Sequence, residues 1–217
     1  MGRDWLEWHE QYDSPGSPLA RRLRVVQRDL RQALIDAPRD DDGTARLVSM
    51  CAGEGRDVLP VLAEHHDGAA VHALLVELNP TLSHRARDRA TRLGLPAVSV
   101  RTADAGEVDP YLSFVPISVL LACGVFGNTT VEDAERTILA MPNLLADGGI
   151  VIWTRGWFDD GPDPSLHLRD CFADAGFTQV SFTRPADARF RVGVHRLSRR
   201  PGRSTPLRPG ERLFSFV

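Results

Sequence analysis

The chain contains no lysine: all 26 basic side chains among its 217 residues are arginine. This absence excludes reactions that need a lysine amine, such as a pyridoxal Schiff base, a P-loop nucleotide site or a Ser-Lys dyad. Cysteine is also scarce. The three cysteines are far apart and odd in number, so the sequence predicts neither a metal site nor a disulfide framework, and it fits a reducing cytoplasm.

Long apolar runs and a strong net charge are missing as well. No window reaches the ~18 apolar residues of a membrane-spanning helix, and the first ten residues lack the basic start of an export signal. The formal net charge is −3, too near neutrality to indicate a nucleic-acid coat or a membrane anchor. We therefore expect a cytoplasmic protein with no nucleic-acid or membrane partner, and a homodimer is left open.

The order of apolar segments predicts an α/β fold. Strands and helices alternate four times within residues 44–197, and the strands are apolar on both faces, as is typical of a parallel sheet covered by helices. Two segments of alternating polarity, 177–183 and 189–197, lie so close together that they predict an antiparallel hairpin. The predicted fold is a doubly wound, mostly parallel seven-stranded sheet (Rossmann-like) with an antiparallel final hairpin and an N-terminal helical cap.

Two segments flank this predicted domain. Residues 1–43 predict the N-terminal helical cap and its linker, and we expect the cap to close over the substrate as a lid. Residues 198–217 predict a C-terminal arm on the surface, with a last short strand at 213–216. Within the domain, residues 131–145 predict one continuous helix.

The first strand of the sheet is followed by a loop that contains Gly53 and Gly55. Ligands bind beyond the carboxyl ends of parallel strands, and glycines there allow a tight turn and a close approach of the backbone. Glu77 closes the second strand, 22 residues after Gly55, where a carboxylate can accept both hydroxyls of a ribose. Asp104 follows the third strand and can accept from an adenine amino group. Three successive strand ends therefore suit one nucleoside.

Residues 46–197 resemble the class I S-adenosylmethionine-dependent methyltransferases, because that family also has an antiparallel strand in the final hairpin of its sheet. Residues 5–23, 123–128 and 151–155 also resemble a group of small bacterial methyltransferases of unsettled substrate. The resemblance implies S-adenosylmethionine as the cofactor. It implies that the loop on the methionine side consists of Cys51, Ala52, Gly53 and Gly55, and that Glu77 and Leu78 lie at the ribose end. It also implies that Asp104 and Ala105 lie at the adenine end, and that Cys123 and Gly124 lie on the methyl side.

The loop departs from the family pattern at two positions. Ser49 stands where the family has an acid that commonly helps to hold the cofactor's amino group, and Cys51 stands at the first glycine. A dinucleotide-binding loop also lacks that acid, so an NAD(P)-dependent oxidoreductase is an alternative, although Glu54 lies where a pyrophosphate would sit. A protein that binds S-adenosylmethionine for a cyclisation or a regulatory role is the other alternative.

Methyl transfer needs an aligned acceptor and, for some acceptors, a base. The candidate catalytic residues are His9, Tyr12 and Arg155. Arg155 ends a strand that we expect to be buried, so it needs an anionic partner, which is either a substrate group or an acid such as Asp159. We interpret Cys123 as a small packed residue rather than a nucleophile.

The expected substrate pocket lies between the N-terminal aromatic residues and the end of the fifth strand. Its candidate contacts are Trp8, Phe126, Asn128, Trp153 and Trp157. Aromatic walls with few polar groups are typical of a small-molecule site. The sequence therefore predicts a methyltransferase that acts on a small-molecule acceptor, for which specialised metabolism is one setting.

Overall fold

The computed structural model describes residues 11–157, 161–200 and 206–217. Within them, helix α1 spans Pro18–Asp36. The Ser17 side chain caps its first turn by accepting from the Ala20 N–H at 3.0 Å, and the helix ends before Pro38, because a residue that precedes proline disfavours the helical conformation. A short 3₁₀ turn, Gln11–Asp13, precedes it.

The apolar side of α1 is buried against the sheet. Leu30 and Leu34 have no exposed surface, and they share one hydrophobic cluster with β-strand residues such as Leu47 and Ile152. Helix α1 is therefore a layer of the core. For helix α1 this differs from the expected lid, because a segment that opens and closes could not keep these side chains buried throughout; residues 1–10 of the predicted cap lie outside the described residues.

Seven strands form a single sheet in the described part of the chain. They are β1 (Ala45–Met50), β2 (Val71–Glu77), β3 (Val98–Thr102), β4 (Ile117–Ala122), β5 (Leu145–Gly156), β6 (Phe177–Thr183) and β7 (Phe190–Leu197). Their spatial order is β3-β2-β1-β4-β5-β7-β6. Strands β1 to β5 run parallel, whereas β7 lies antiparallel between β5 and β6. The predicted fold class, including its antiparallel final hairpin, is confirmed.

Helices cover both faces of this sheet. After α1 they are α2 (Leu59–Glu64), α3 (Pro80–Arg92), α4 (Asp109–Leu112), α5 (Val131–Ala140) and α6 (Pro164–Asp174). The prediction of one helix over 131–145 is wrong. Helix α5 ends at Ala140 and a 3₁₀ turn, Met141–Asn143, follows it, because Pro142 has no N–H for the next α-helical hydrogen bond. None of the described helices is long and apolar enough to cross a membrane.

The strand order reverses between β1 and β4, which are direct neighbours in the sheet. The chain leaves β1 toward one edge of the sheet and later returns to start β4 on the other side. In open α/β sheets the loops that follow two such strands diverge, and ligands bind in the crevice between them at the carboxyl ends of the strands.

Candidate functional site

The loop of residues 51–55 turns sharply at the carboxyl end of β1. Gly53 and Gly55 have positive φ angles of 55° and 68°. A Cβ atom on Gly55 would lie 2.8 Å from side-chain atoms of both Leu59 and Leu75. The positive φ and these close approaches together favour glycine at position 55, and they place the loop against the helix and strand behind it.

Cys51 is the only described residue other than glycine with a positive φ, 51°. This left-handed conformation costs a residue with a Cβ about 1 kcal/mol or more, and it accounts for the glycine that the family has at this position. Burial raises the pKa of the Cys51 thiol, so the thiol stays protonated at neutral pH and serves as a small packed group. The Ser49 side chain is also buried, and its hydroxyl has no hydrogen-bond partner within the described residues.

The Glu77 carboxylate connects the ends of β1 and β2. Its Oε2 accepts from the Gly53 N–H and its Oε1 accepts from the Asn79 N–H, both at 2.8 Å. The residue is only 9% exposed, and burial raises its pKa against the opposing effect of these N–H donors. Each oxygen keeps a second lone pair, so the carboxylate is oriented and able to accept two ligand hydroxyls. Leu78, next along the chain, is exposed.

The end of β3 lies beside this carboxylate, since the Ala103 N–H donates to the Glu77 carbonyl oxygen at 3.1 Å. Asp104 follows, half-buried, and its Oδ1 accepts from the Gly106 N–H at 2.8 Å. Ala105 is buried, and its carbonyl oxygen accepts from the Tyr111 hydroxyl at 2.6 Å. The structure thus brings the candidate ribose and adenine residues together along one edge of the sheet.

The loop after β4 faces the other side of the crevice. The Gly124 N–H donates to the Thr154 hydroxyl at 2.9 Å, and the Asn128 side-chain amide donates to the Gly124 carbonyl oxygen at 2.6 Å. Gly124 has a φ of 80°, and no atom lies within 4 Å of where its Cβ would be. Burial raises the pKa of the Cys123 thiol, which agrees with its interpretation as a packed residue.

Tyr12, Arg22 and Asp57 lie beside Cys123 and interact electrostatically. The Tyr12 hydroxyl accepts from the Arg22 guanidinium at 2.8 Å, and burial raises the Tyr12 pKa, so the phenol remains protonated. Burial also raises the pKa of Asp57 to about 6, although the residue keeps some exposed surface. Asp57 was assigned no role from the sequence; its signal was an acid two residues after Gly55, the last glycine of the loop.

Arg155 lies at the end of β5, and its guanidinium donates to the Phe126 carbonyl oxygen. Its Nε is buried and has no hydrogen-bond partner among the described residues, and burial lowers its pKa. Trp157 is partly buried, with the Arg191 guanidinium 5.4 Å from its ring centroid. Asp159, the alternative partner of Arg155, lies outside the described residues.

Trp153 and Phe126 belong to the hydrophobic core. Both side chains have no exposed surface, and their rings pack edge to face with centroids 6.2 Å apart. The indole N–H of Trp153 donates to Nδ1 of buried His195 at 3.1 Å. We therefore correct the expectation that these two residues contact the substrate, because neither ring offers a surface to it. Trp8 and His9 lie outside the described residues.

Two features lie away from this edge. A groove of about 640 Å³ borders the N-terminal end of β3, whereas Asp104 follows the C-terminal end of that strand. Among the described residues, Glu135, His167 and Cys171 are the one group close enough together to hold a metal ion. A hydrogen bond of 2.6 Å between His167 Nε2 and Glu135 Oε1 accounts for that arrangement without a metal.

No family model and no curated protein matches the chain. Solved structures do match its fold. An rRNA methylase from Streptococcus thermophilus is 16% identical with a TM-score of 0.58, over 78% of this chain and 94% of that one. The 1,6-didemethyltoxoflavin-N1-methyltransferase of Burkholderia thailandensis, solved with 1,6-didemethyltoxoflavin and S-adenosylhomocysteine, is 21% identical with a TM-score of 0.60, over 82% and 78%.

An O-methyltransferase family protein from Burkholderia thailandensis is 14% identical with a TM-score of 0.64. The match covers 85% of this chain but only 57% of that protein. These proteins act on different acceptors by their names, and their low identities establish a shared architecture only. The chain has the Rossmann-like fold of the class I S-adenosylmethionine-dependent methyltransferases.

Proposed function

We propose that the chain binds S-adenosylmethionine at the carboxyl edge of its sheet and transfers the methyl group to a small-molecule acceptor. The observation that carries this proposal is the Glu77 carboxylate. It is buried at the end of β2, it is oriented by the N–H groups of Gly53 and Asn79, and it keeps two lone pairs for a ribose. A buried carboxylate that served only the fold would more often be paired with a cation.

The remaining cofactor contacts follow from the crevice. Asp104 and Ala105 hold the adenine, the loop of residues 51–55 holds the methionine portion, and Gly124 leaves open space on the methyl side. When bound, the cofactor supplies an electrophilic methyl group, so the protein has to position the acceptor and exclude water. Because Ser49 is buried, it does not replace the family's acid at the amino group.

Asp57 is the proposed base for an acceptor that must lose a proton. A pKa of about 6 leaves its carboxyl mostly ionised at pH 7 and close enough to neutrality for efficient proton transfer. Tyr12 has a different role. Its phenol stays protonated, so it donates a hydrogen bond to the acceptor rather than removing a proton. Arg155 and Asn128 orient polar groups of the acceptor from the β5 and β4 sides.

The acceptor proposal rests on how the arginines are used. A nucleic-acid groove needs unpaired arginines on the rim. Two arginines near the C-terminus instead form ion pairs: Arg196 with Asp36 at 4.0 Å, and Arg212 with Asp104 at 2.9 Å. These contacts support a small-molecule acceptor over RNA. Retention of transfer RNA at roughly 0.15 M salt would contradict this proposal.

The cofactor proposal is tested by isothermal titration calorimetry with S-adenosylhomocysteine and, separately, with NADH. Glu77→Gln keeps the size of the side chain and removes its charge. We expect it to weaken S-adenosylhomocysteine binding by at least about tenfold, since a hydrogen bond to a charged group contributes about 1.5–3 kcal/mol. Glu132→Gln, at an exposed acid in the first turn of α5, is the matched control and should bind normally.

Other results would point to the alternatives. Binding of NADH in preference to S-adenosylhomocysteine would favour the oxidoreductase. Tight S-adenosylhomocysteine binding without transfer of labelled methyl to any acceptor in a small-molecule panel would favour the cyclase or regulatory alternative. Equal affinities of the wild-type protein and Glu77→Gln would remove Glu77 from the cofactor site.

A further inference from the structure

Residues 211–217 form a strap along the carboxyl edge of the sheet. At one end, the Leu213 N–H donates to the Gly106 carbonyl oxygen at 2.7 Å, just after the adenine-side residues. At the other end, the Val217 N–H donates to the Asn128 carbonyl oxygen at 3.0 Å, in the loop after β4. The strap therefore spans the space between the ends of β3 and β4. The predicted short strand at 213–216 is wrong, because only Arg212 forms a β-bridge, with Glu107.

The strap is held firmly between these two ends. The Leu213 carbonyl oxygen accepts from Arg136 Nε at 3.1 Å and from the Thr137 hydroxyl at 3.0 Å, both on α5. Leu213 and Phe214 are each only 2% exposed and belong to the main hydrophobic cluster. With the Leu213 carbonyl bonded and the Leu213 and Phe214 side chains buried, the middle of the strap is anchored in the folded core rather than lying on the surface as the predicted arm would, whereas residues 215–217 are exposed.

The strap also lies directly against the adenine-side loop. A Cβ atom on Gly106 would lie 2.2 Å from the Phe214 carbonyl oxygen. No side chain other than hydrogen fits there without moving the strap. This close approach of two backbones fixes the distance between the strap and Asp104, two residues earlier.

Arg212 joins the strap to the acids of that loop. Its Nη1 donates to Asp104 Oδ2 at 2.9 Å, and its Nη2 donates to Glu107 Oε1 at 3.1 Å. The Gly106 N–H already holds Asp104 Oδ1. The Asp104 carboxylate is thus oriented from two sides, by a backbone donor on its own loop and by a guanidinium about a hundred residues later in the chain.

We propose that Arg212 is a positioning residue for cofactor recognition: it holds the Asp104 carboxylate in the orientation that accepts the adenine amino group, and the strap completes this side of the pocket. This inference rests on the proposed function. The ion pair is half-exposed, so its contribution to stability is small. Its effect is on orientation, since a carboxylate held in place loses less freedom when the ligand binds.

The experiment compares two ligands that differ only at one edge of the purine ring. S-adenosylhomocysteine carries the adenine amino group and an unprotonated N1, whereas S-inosylhomocysteine carries a carbonyl oxygen and an N1–H in their place. We expect the wild-type protein to prefer S-adenosylhomocysteine, and Arg212→Ala to reduce the ratio of the two affinities by about three- to tenfold, the range expected when one side chain has to be ordered on binding. Arg212→Lys keeps the charge and should restore part of the ratio. Arg208→Ala is the control, because Arg208 is exposed, lies three residues before the strap and forms no ion pair with a described residue.

A double variant tests whether Arg212 acts through Asp104. In an Asp104→Asn background, Arg212→Ala should lower the ratio no further. An unchanged ratio in Arg212→Ala, or additive effects in the double variant, would overturn the inference. A wild-type protein that binds both ligands equally would overturn it while leaving the cofactor proposal intact. A wild-type protein that binds neither ligand would overturn both.

Discussion

Asp57→Asn should stabilise the protein at neutral pH. The Asp57 carboxyl lies near Tyr12 and Arg22, and burial raises its pKa from 3.8 to about 6. An ionised carboxylate at such a site is unfavourable, because burial removes water from it and neither its backbone hydrogen bonds nor the Arg22 charge fully compensates. Asparagine has nearly the same shape and carries no charge, so the substitution removes this unfavourable term.

The sign and size follow from the pKa. Between pH 3.8 and about 6 the folded protein binds this proton more readily than the unfolded chain, so the free energy of unfolding falls as the pH rises. The shift corresponds to about 3 kcal/mol once the pH exceeds the folded pKa. Because Asp57 keeps some exposed surface, about 3 kcal/mol is an upper bound. The pH-dependent part of the gain from Asp57→Asn should be complete near pH 7 and absent near pH 4.

Urea unfolding of the wild-type protein and Asp57→Asn at a series of pH values measures this difference directly. Other acids titrate in both proteins, so only the difference between the two curves reports on Asp57. A carbon-13 resonance from the side-chain carboxyl should titrate near pH 6 in the wild-type protein and be absent from the variant. A difference between the two free energies that stays constant from pH 4.5 to roughly 7.5 would refute the assigned pKa and, with it, the proposed base.

Three further predictions concern the core and the strap. Burial lowers the His195 pKa to about 4 from 6.5, so the wild-type protein should lose up to about 3 kcal/mol as the pH falls between these values, and His195→Gln should lose less in urea unfolding. Gly193→Ala places a Cβ 2.3 Å from the Trp153 ring, which should lower stability by about 1–3 kcal/mol and reduce the Tm. Gly106→Ala should displace the Phe214 carbonyl, seen as faster hydrogen exchange at strap amides with unchanged exchange in β1 and β4.

The sheet could be predicted from the sequence because its signals are local. Apolar strands such as Ile117–Ala122 are buried along their whole length, and a continuous apolar segment indicates a strand covered on both faces. The spacing between Gly55 and Glu77 likewise reflects one strand-helix-strand unit, so their approach at one edge is predictable. The early end of α5 was also predictable, since Pro142 is visible in the sequence.

The assignment of Trp153 to the substrate pocket failed for a physical reason. A residue near the end of a central strand faces the crevice only if no other element covers it. Here the Phe172 ring on α6 stacks on the Trp153 indole, with ring centroids 5.8 Å apart. Gly193 on β7 has no side chain, so its backbone packs closely against the same indole. Neither contact leaves a pattern in the sequence near position 153, because both come from elements that follow later in the chain.

Asp57, Glu77 and Cys51 together explain why this edge is the best candidate site. Burial disfavours the ionised form of both carboxyls, and Cys51 holds a left-handed conformation that disfavours residues other than glycine. Each of these features lowers stability, and all three lie in or beside the loop after β1. A stable fold alone gives no reason to place two such carboxyls and a left-handed cysteine in and beside one loop. A ligand with hydroxyls to donate to Glu77 would offset part of that cost on binding, so the same residues that weaken the empty fold favour the bound one.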